Sequence, residues 1–190
     1  MKTKVGLALT FLVLLTVTTA AQDKVKRFAF ELSGGPSFAT SDFAVGLKPG
    51  FGTDGAFHYS FLPKFGVYAG WGANWISSEN TDSDLNRDYE ETGYILGLQF
   101  KQPIGTSRSS YFLRAGALYS HIEVENDNGD ILEDTGHGFG VQLAAGWEFD
   151  LGSSWSISPM VKHNFLSRDH RGADTDFNYL TVRVGIKKSF

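Results

Sequence analysis

The side chains best suited to acid–base or ion-pair chemistry are spread along the chain and alternate with small residues. They comprise three carboxylates, two guanidinium groups and one imidazole: Glu31, Asp54, His58, Arg114, Glu148 and Arg183. A histidine can change charge near neutral pH, so His58, on the same strand face as Asp54, could titrate. The commoner state is a hydrogen-bonded interior histidine, which we expect for His58. Buried charges are tolerated when paired, so we predict that the six residues form an interior polar network.

A second pattern, Lys162-His163-Asn164-Phe165-Leu166-Ser167, combines a histidine with a serine. It is superficially similar to the lipid A deacylase barrels, in which these residues lie two positions apart, on one strand face and in mutual reach. Here residue 165 is phenylalanine, and Ser167 lies about 13 Å from His163 along an extended strand. The nucleophile is missing where the mechanism needs it. We therefore predict no catalytic residue and no enzymatic activity.

Two groups of residues raise the question of a metal site. His121 and His137 flank a polar segment, but their spacing matches no zinc motif. Asp82, Asp84, Asn86 and Asp88 alternate as oxygen donors do in calcium loops. Arg87, however, stands where an EF-hand needs glycine, and Gly93 stands where the bidentate glutamate belongs. We predict no metal site and no cofactor.

Composition excludes several further classes of site. The chain has no cysteine, which rules out a lipoprotein anchor, a disulfide framework, a thiolate metal site and a cysteine nucleophile. Removing Lys2 and Lys4 from the 17 basic residues leaves 15 against 21 acidic ones, a net charge of about −6. An acidic chain without a basic stripe argues against a nucleic-acid partner.

The first 21 residues are predicted to be a secretory signal peptide. Two lysines precede an apolar stretch from Val5 to Val17, and small residues at Thr19–Ala21 allow cleavage before Gln22. An uncleaved helical anchor is the alternative. The remainder, residues 22–190, has a length that suits one domain.

The domain shows a period of two rather than the 3.6-residue period of a helix. Near the end of the chain, for example, Val182, Val184 and Ile186 alternate with Arg183 and Lys187. Eight such segments are predicted, over residues 28–38, 51–61, 65–77, 91–101, 110–122, 137–149, 155–166 and 177–190.

The connections between these segments alternate in length. Those at residues 62–64 and 151–154 are short, and that at 102–109 is somewhat longer. The others are longer and polar, as at 78–84 and 125–130. An even number of strands with short turns on one rim and longer loops on the other is typical of outer-membrane barrels.

Alternation alone does not separate a membrane barrel from a soluble, lipocalin-like one, which hides its apolar face. Three features favour an apolar exterior. One face is rich in small residues, as a narrow interior requires. The same face carries charges of both signs, and aromatic residues concentrate near strand ends, as at two membrane interfaces. The mixed charges are Glu31, Asp54, Lys101, Arg114, Glu148, Lys162, Arg183 and Lys187. We therefore predict an all-β fold, an eight-stranded antiparallel up-and-down transmembrane β-barrel.

The chain resembles the small OmpA/OmpX-type barrels, and more closely the outer-membrane β-barrel domain, often labelled porin family, of Bacteroidota. The resemblance rests on the opening Phe28-Ala29-Phe30-Glu31-Leu32-Ser33-Gly34-Gly35-Pro36-Ser37-Phe38, the ending Gly-Ile-Lys-Lys-Ser-Phe and the strand rhythm between. It implies a place in the Gram-negative outer membrane, with Phe190 as the signal for the barrel-assembly machinery. Expected partners are membrane lipid and lipopolysaccharide, whose phosphates could share divalent ions with the loops. The protein is expected to be a monomer.

The expected role is structural or surface-interacting, in the manner of an adhesin. An eight-stranded interior is just wide enough to be filled by side chains, so the porin label is not expected to mean an open pore. The alternatives are a narrow OmpW-like barrel for small solutes, a lipid A-modifying enzyme and a soluble lipocalin-like binder.

Overall fold

The computed structural model describes residues 26–41, 46–78, 88–126, 129–170 and 173–190. The predicted signal peptide and most of the calcium-like pattern, Asp82 to Arg87, lie outside these residues. The strands are β1 Phe28–Ala39, β2 Gly50–Ser60, β3 Phe65–Ser77, β4 Asp88–Pro103, β5 Ser109–Glu125, β6 Ile131–Asp134, β7 Gly138–Gly152, β8 Trp155–His170, β9 Ala173–Asp176 and β10 Tyr179–Ser189. Within the described ranges, helices of the length and apolarity needed to span a bilayer are absent.

Eight of the described strands pair antiparallel in a closed ring, in the order β1, β2, β3, β4, β5, β7, β8 and β10. The ring closes where β1 meets β10, with Glu31 opposite Lys187 and Ala29 opposite Ser189. The short strands β6 and β9 stand outside the ring and pair with the ends of β5 and β8. The predicted eight-stranded up-and-down barrel is confirmed.

The faces of the strands are also as predicted, with apolar side chains outside and polar ones inside. Leu96 is 65% exposed and Val184 51%, whereas Arg183 is 1% exposed and Glu31 3%. A soluble barrel would have the reverse arrangement, because an apolar exterior is stable only in lipid. The fold therefore excludes the lipocalin-like alternative.

Aromatic side chains form a continuous row around part of the outer side of the barrel. Trp71 lies opposite Tyr94, Tyr94 opposite Tyr119, and Tyr119 opposite Phe139, on four successive strands of the ring. The rings of Tyr119 and Phe139 are 5.1 Å apart. We call these four residues the outer aromatic row. Outward aromatic side chains of this kind are enriched towards the ends of the lipid-facing band of outer-membrane barrels.

Two strands continue well beyond this row. β4 has 16 residues and β5 has 17, whereas about 9–11 tilted residues cross a bilayer. β5 and β8 also extend beyond residues 122 and 166, the predicted ends of the fifth and seventh segments. They continue because β6 and β9 fold back and pair with them, which satisfies backbone groups that a loop would leave to water.

On the opposite rim the turns are tight. Ser153 and Ser154 form the two-residue turn between β7 and β8, both with positive φ, at 51° and 71°. This is the backbone of a type I′ turn, whose twist matches that of the flanking strands. The first strand begins and the last strand ends on this rim, where Phe190 and Phe28 exchange backbone hydrogen bonds of 2.9 and 3.3 Å.

Candidate functional site in the barrel lumen

The lumen is crossed at its centre by an ion pair between strands on opposite sides of the ring. Arg114 of β5 donates two hydrogen bonds to Glu31 of β1, at 2.8 and 2.9 Å. A third, of 2.8 Å, joins Arg114 Nε to Gln99 Oε1. The two charged side chains are each 3% exposed. A bidentate pair of this kind fixes both side chains, so it forms a bar across the barrel.

The Arg114 guanidinium also contacts two aromatic rings and the sulfur atom of Met160. Its guanidinium carbon lies 4.4 Å from the ring centroid of Phe112 and 5.6 Å from that of Tyr68. The Tyr68 ring fits because Gly97 faces it: a Cβ added at Gly97 would lie 2.6 Å from Tyr68 Cε1. Cation–π contacts and the salt bridge together hold the guanidinium in one orientation.

Asp54 of β2 forms a second crossing. Its carboxylate accepts hydrogen bonds from Lys162 Nζ at 2.7 Å and Ser33 Oγ at 3.0 Å, and it forms an ion pair with Arg183 Nε at 3.3 Å. Between this group and Arg114 is a cavity of about 10 Å³, room for about one water molecule. The centre of the lumen is therefore filled.

The Arg183 guanidinium connects the closing strand to the start of the barrel. It donates to the backbone oxygens of Gly35 and Gly52 and to the Asn74 side chain. Arg183 is fully buried, and all three of these acceptors are uncharged oxygens, so the residue has a structural position rather than one open to a ligand.

Further out, Asn74 belongs to a crossing in which the Glu91 carboxylate accepts hydrogen bonds from two uncharged side chains. Asn74 Nδ2 donates to Glu91 Oε2 and to Tyr179 Oη, both at 2.9 Å, and Tyr179 Oη donates to Glu91 at 2.8 Å. β4 and β10, which carry Glu91 and Tyr179, lie on opposite sides of the ring.

The outer end of the lumen is mainly apolar, apart from the buried Arg168, which donates hydrogen bonds to Ser120. A buried cluster closes it above Glu91, consisting of Ile76, Leu118, Ile122, Leu166, Phe177 and Tyr179. The inner end carries a third ionic group, in which Glu148 accepts hydrogen bonds from Lys101 at 3.3 Å and from Lys187. Below it, a space of about 570 Å³ opens at the inner rim.

The six predicted network residues thus all face the lumen, but not all of their ionic partners belong to the six. Glu31 meets Arg114, and Asp54 meets Arg183, whereas Glu148 is paired with two lysines instead of either arginine.

His58 lies in the interior, as expected, but without the expected hydrogen bond to a described residue. It is buried, yet among the described residues neither of its ring nitrogens has a hydrogen-bond partner. Its Nε2 lies 4.0 Å from Glu31 Oε2, because both carboxylate oxygens of Glu31 are directed at Arg114. The His58 ring instead stacks on Tyr68, with 5.9 Å between centroids.

His163, the histidine of the deacylase-like pattern, contacts residues other than Ser167. His163 Nε2 lies 3.3 Å from Thr40 Oγ1, and its ring packs 4.2 Å from that of Phe165. These contacts give His163 the position of a polar aromatic residue on the outward face of β8, opposite Leu143 of β7.

The structure also brings together a group that the sequence analysis missed. His121, Glu123 and Asp134 converge on the outside of the barrel, and His137 stacks on His121 at 4.5 Å. The available signal was His121-x-Glu123, which places both side chains on one strand face. Asp134 was not predictable in this way, because it joins the group only through the pairing of β6 with β5.

Comparison with known proteins identifies the family. The family description "Outer membrane protein beta-barrel domain" matches residues 9–187. Among curated proteins, none is significantly similar in sequence. The structure of Neisserial surface protein A (NspA) is similar, with a TM-score of 0.70 and 11% identity, over 86% of this chain and 97% of that one.

The structure of Ail, the attachment invasion locus protein of Yersinia pestis, is also similar. Its TM-score is 0.55 at 14% identity, over 87% of this chain and 99% of that chain. At these identities the two structures show a shared fold. The family match spans nearly the whole chain, so the protein belongs to the outer membrane β-barrel domain family and is an outer-membrane barrel.

Proposed function

We propose that the protein is a monomeric, non-conducting barrel whose role is to hold its outer hairpins and loops at the cell surface for interaction with other molecules. The observation that carries this proposal is the Glu31–Arg114 bar across the centre of the lumen. A pore function needs a continuous water path, and the bar stands across that path.

The other crossings support the same function. Asp54 and Lys162 link β2 to β8 beside the bar, and Glu91 and Tyr179 join opposite walls further out. The apolar cluster then closes the outer end. The names of the two similar structures, a surface protein and an attachment protein, agree with a surface role, although at 11% and 14% identity they carry the fold alone.

Lipid and assembly partners complete the proposal. The apolar exterior contacts membrane lipid, and the strands beyond the outer aromatic row lie at the level of the lipopolysaccharide head groups. Phe190, which is 60% exposed beside the barrel seam, is available as the signal for the assembly machinery.

Planar-bilayer recording tests the closed lumen. The reconstituted protein is expected to show no steady conductance, since the bar blocks the lumen. The variant Glu31→Ala/Arg114→Ala removes both halves of the bar and is expected to give brief openings. Gln102→Ala, at the inner rim, is the matched control and should behave as the parent does. A large, stable channel in the parent would overturn the proposal.

One observation favours a second candidate, a narrow barrel that passes small apolar solutes. The apolar cluster at the outer end could receive such a solute from outside. The charged centre opposes its passage, because an apolar solute would have to displace paired ions. Uptake of a small apolar dye by vesicles that contain the protein, and not by empty ones, would favour this candidate over a closed barrel.

A further inference from the structure

Above the outer aromatic row, the exterior of the barrel changes from apolar to acidic. The outward positions of β4 and β5 next after the row are Thr92 and His121, which face each other across the two strands. The next pair outward is Glu90 and Glu123. On the other side of β5, Asp134 of β6 pairs with Glu123.

Three carboxylates therefore lie side by side on adjacent strands, in the order Glu90, Glu123, Asp134. Like charges directly opposite each other in a sheet are destabilising. A sheet that places three in one row has a local excess of negative charge that a bound cation would offset.

The group beside this row has the geometry of a metal site. His121 Nδ1 lies 3.4 Å from Asp134 Oδ1 and 3.9 Å from Glu123 Oε1, and the three ligand atoms all lie within 4.8 Å of one another. Zinc bonds of about 2.0–2.2 Å in a tetrahedron place ligand atoms about 3.3–3.6 Å apart. Small rotations of the two carboxylates would complete that geometry.

A hydrogen bond at the second ring nitrogen orients the His121 imidazole for metal binding. His121 Nε2 lies 2.7 Å from Thr92 Oγ1. With Nε2–H donating to the Thr92 hydroxyl, the lone pair is on Nδ1, which faces both carboxylates. Metal-binding histidines commonly have their second nitrogen held in this way. The ring of His137 packs parallel to that of His121, with centroids 4.5 Å apart and planes at 9°.

We propose that His121, Glu123 and Asp134 bind a zinc ion, or a similar first-row divalent metal, on the outer surface of the barrel. Two ligands come from β5 and one from β6, so the metal would fasten this hairpin above the membrane. The imidazole ligand selects zinc over calcium and magnesium, which prefer oxygen ligands alone. The Asp134 side chain is 47% exposed, which leaves the site accessible and a fourth coordination position open to water.

Cobalt and zinc titrations of the tag-free protein, refolded in detergent and treated with EDTA, test this site. We expect one saturable Co²⁺ site with visible d–d absorption, displaced by an equivalent of Zn²⁺ but not by an excess of Ca²⁺. His121→Ala and Asp134→Asn should each weaken binding at least about tenfold. Thr92→Val should weaken binding about 10- to 100-fold, as loss of an orienting partner does.

His163→Ala is the matched control, because His163 Nε2 also lies beside a threonine hydroxyl, at 3.3 Å from Thr40. It should bind Co²⁺ as the parent does. Far-UV circular dichroism and the folded, heat-modifiable gel band confirm that each variant has formed its barrel. The absence of a saturable site in the parent, equal binding by the His121 and His163 variants, or displacement by Ca²⁺ would each overturn the proposal.

Discussion

The lumen and the outer surface above the aromatic row both concentrate charge, but they neutralise it differently. In the lumen, Glu31 and Asp54 each lie within about 3 Å of a cation that reaches across from another strand. On the outer surface, Glu90, Glu123 and Asp134 lie beside one another in one row of the sheet.

The difference follows from solvent. A charge removed from water must be paired inside the protein, because desolvation costs several kcal/mol for each ion. A charge at the surface remains hydrated, and repulsion between neighbours is then modest. The lumenal carboxylates are thus neutralised by cations of the chain itself, whereas the outer carboxylates can bind a cation from solution.

The largest expected effect comes from unpairing the lumen. Arg114→Met leaves Glu31 buried without its cation and should lower the free energy of unfolding by about 3–5 kcal/mol. Urea titration in lipid vesicles, followed by tryptophan fluorescence, measures this change. The double variant Arg114→Met/Glu31→Gln removes both charges and should recover most of the loss. Equal losses in the single and double variants would contradict the importance of pairing.

The next largest loss of stability is expected on the lipid-facing surface, where a charge has neither an ionic partner nor water. Leu143 points outward midway along β7, between Phe139 and Trp147. Leu143→Arg should cost about 2–4 kcal/mol in vesicles, and Phe139→Arg at the interface about 0–1 kcal/mol from its charge. The same urea titration gives both values. A variant at Leu143 as stable as the parent would mean that this face is not in lipid.

The smallest effect has the opposite sign. In metal-free buffer, Glu123→Gln removes the middle charge of the acidic row and should raise the free energy of unfolding by about 0.2–1 kcal/mol. Glu31→Gln, the same chemical change in the lumen, should lower it, because Arg114 loses its counter-charge. Unfolding of both variants in EDTA measures the signs. If they agree, the two regions do not differ in the way described.

The fold was largely predictable because its main signal is local. Alternation of residues such as Val184 and Arg183 places each side chain outside or inside without knowledge of any partner. The eight segments, their faces and the asymmetric rims follow from this period and from turn lengths. The extensions of β5 and β8 were missed, since they depend on short polar strands with weak alternation.

The contacts within the lumen were much less predictable. The Glu31–Arg114 pair joins residues 83 positions apart, and which inward charges meet depends on strand tilt and stagger, which the alternation does not contain. For this reason the sequence pattern does not predict that Glu148 pairs with Lys101 and Lys187. His58 was expected to be hydrogen-bonded, but both carboxylate oxygens of the nearby Glu31 accept from Arg114 instead.

The seam between β1 and β10 has a consequence for the order of folding. The other pairings in the ring join strands that follow one another around it in chain order, whereas the seam brings together the first strand and the last, and Arg183 bonds to Gly35 across 148 positions. Contacts of such long range form late, because ordering the chain between them has to come first. The hydrogen bonds from Arg183 to Gly35 and Gly52 can therefore form only as the barrel closes, which makes this guanidinium a probe for the last step of assembly.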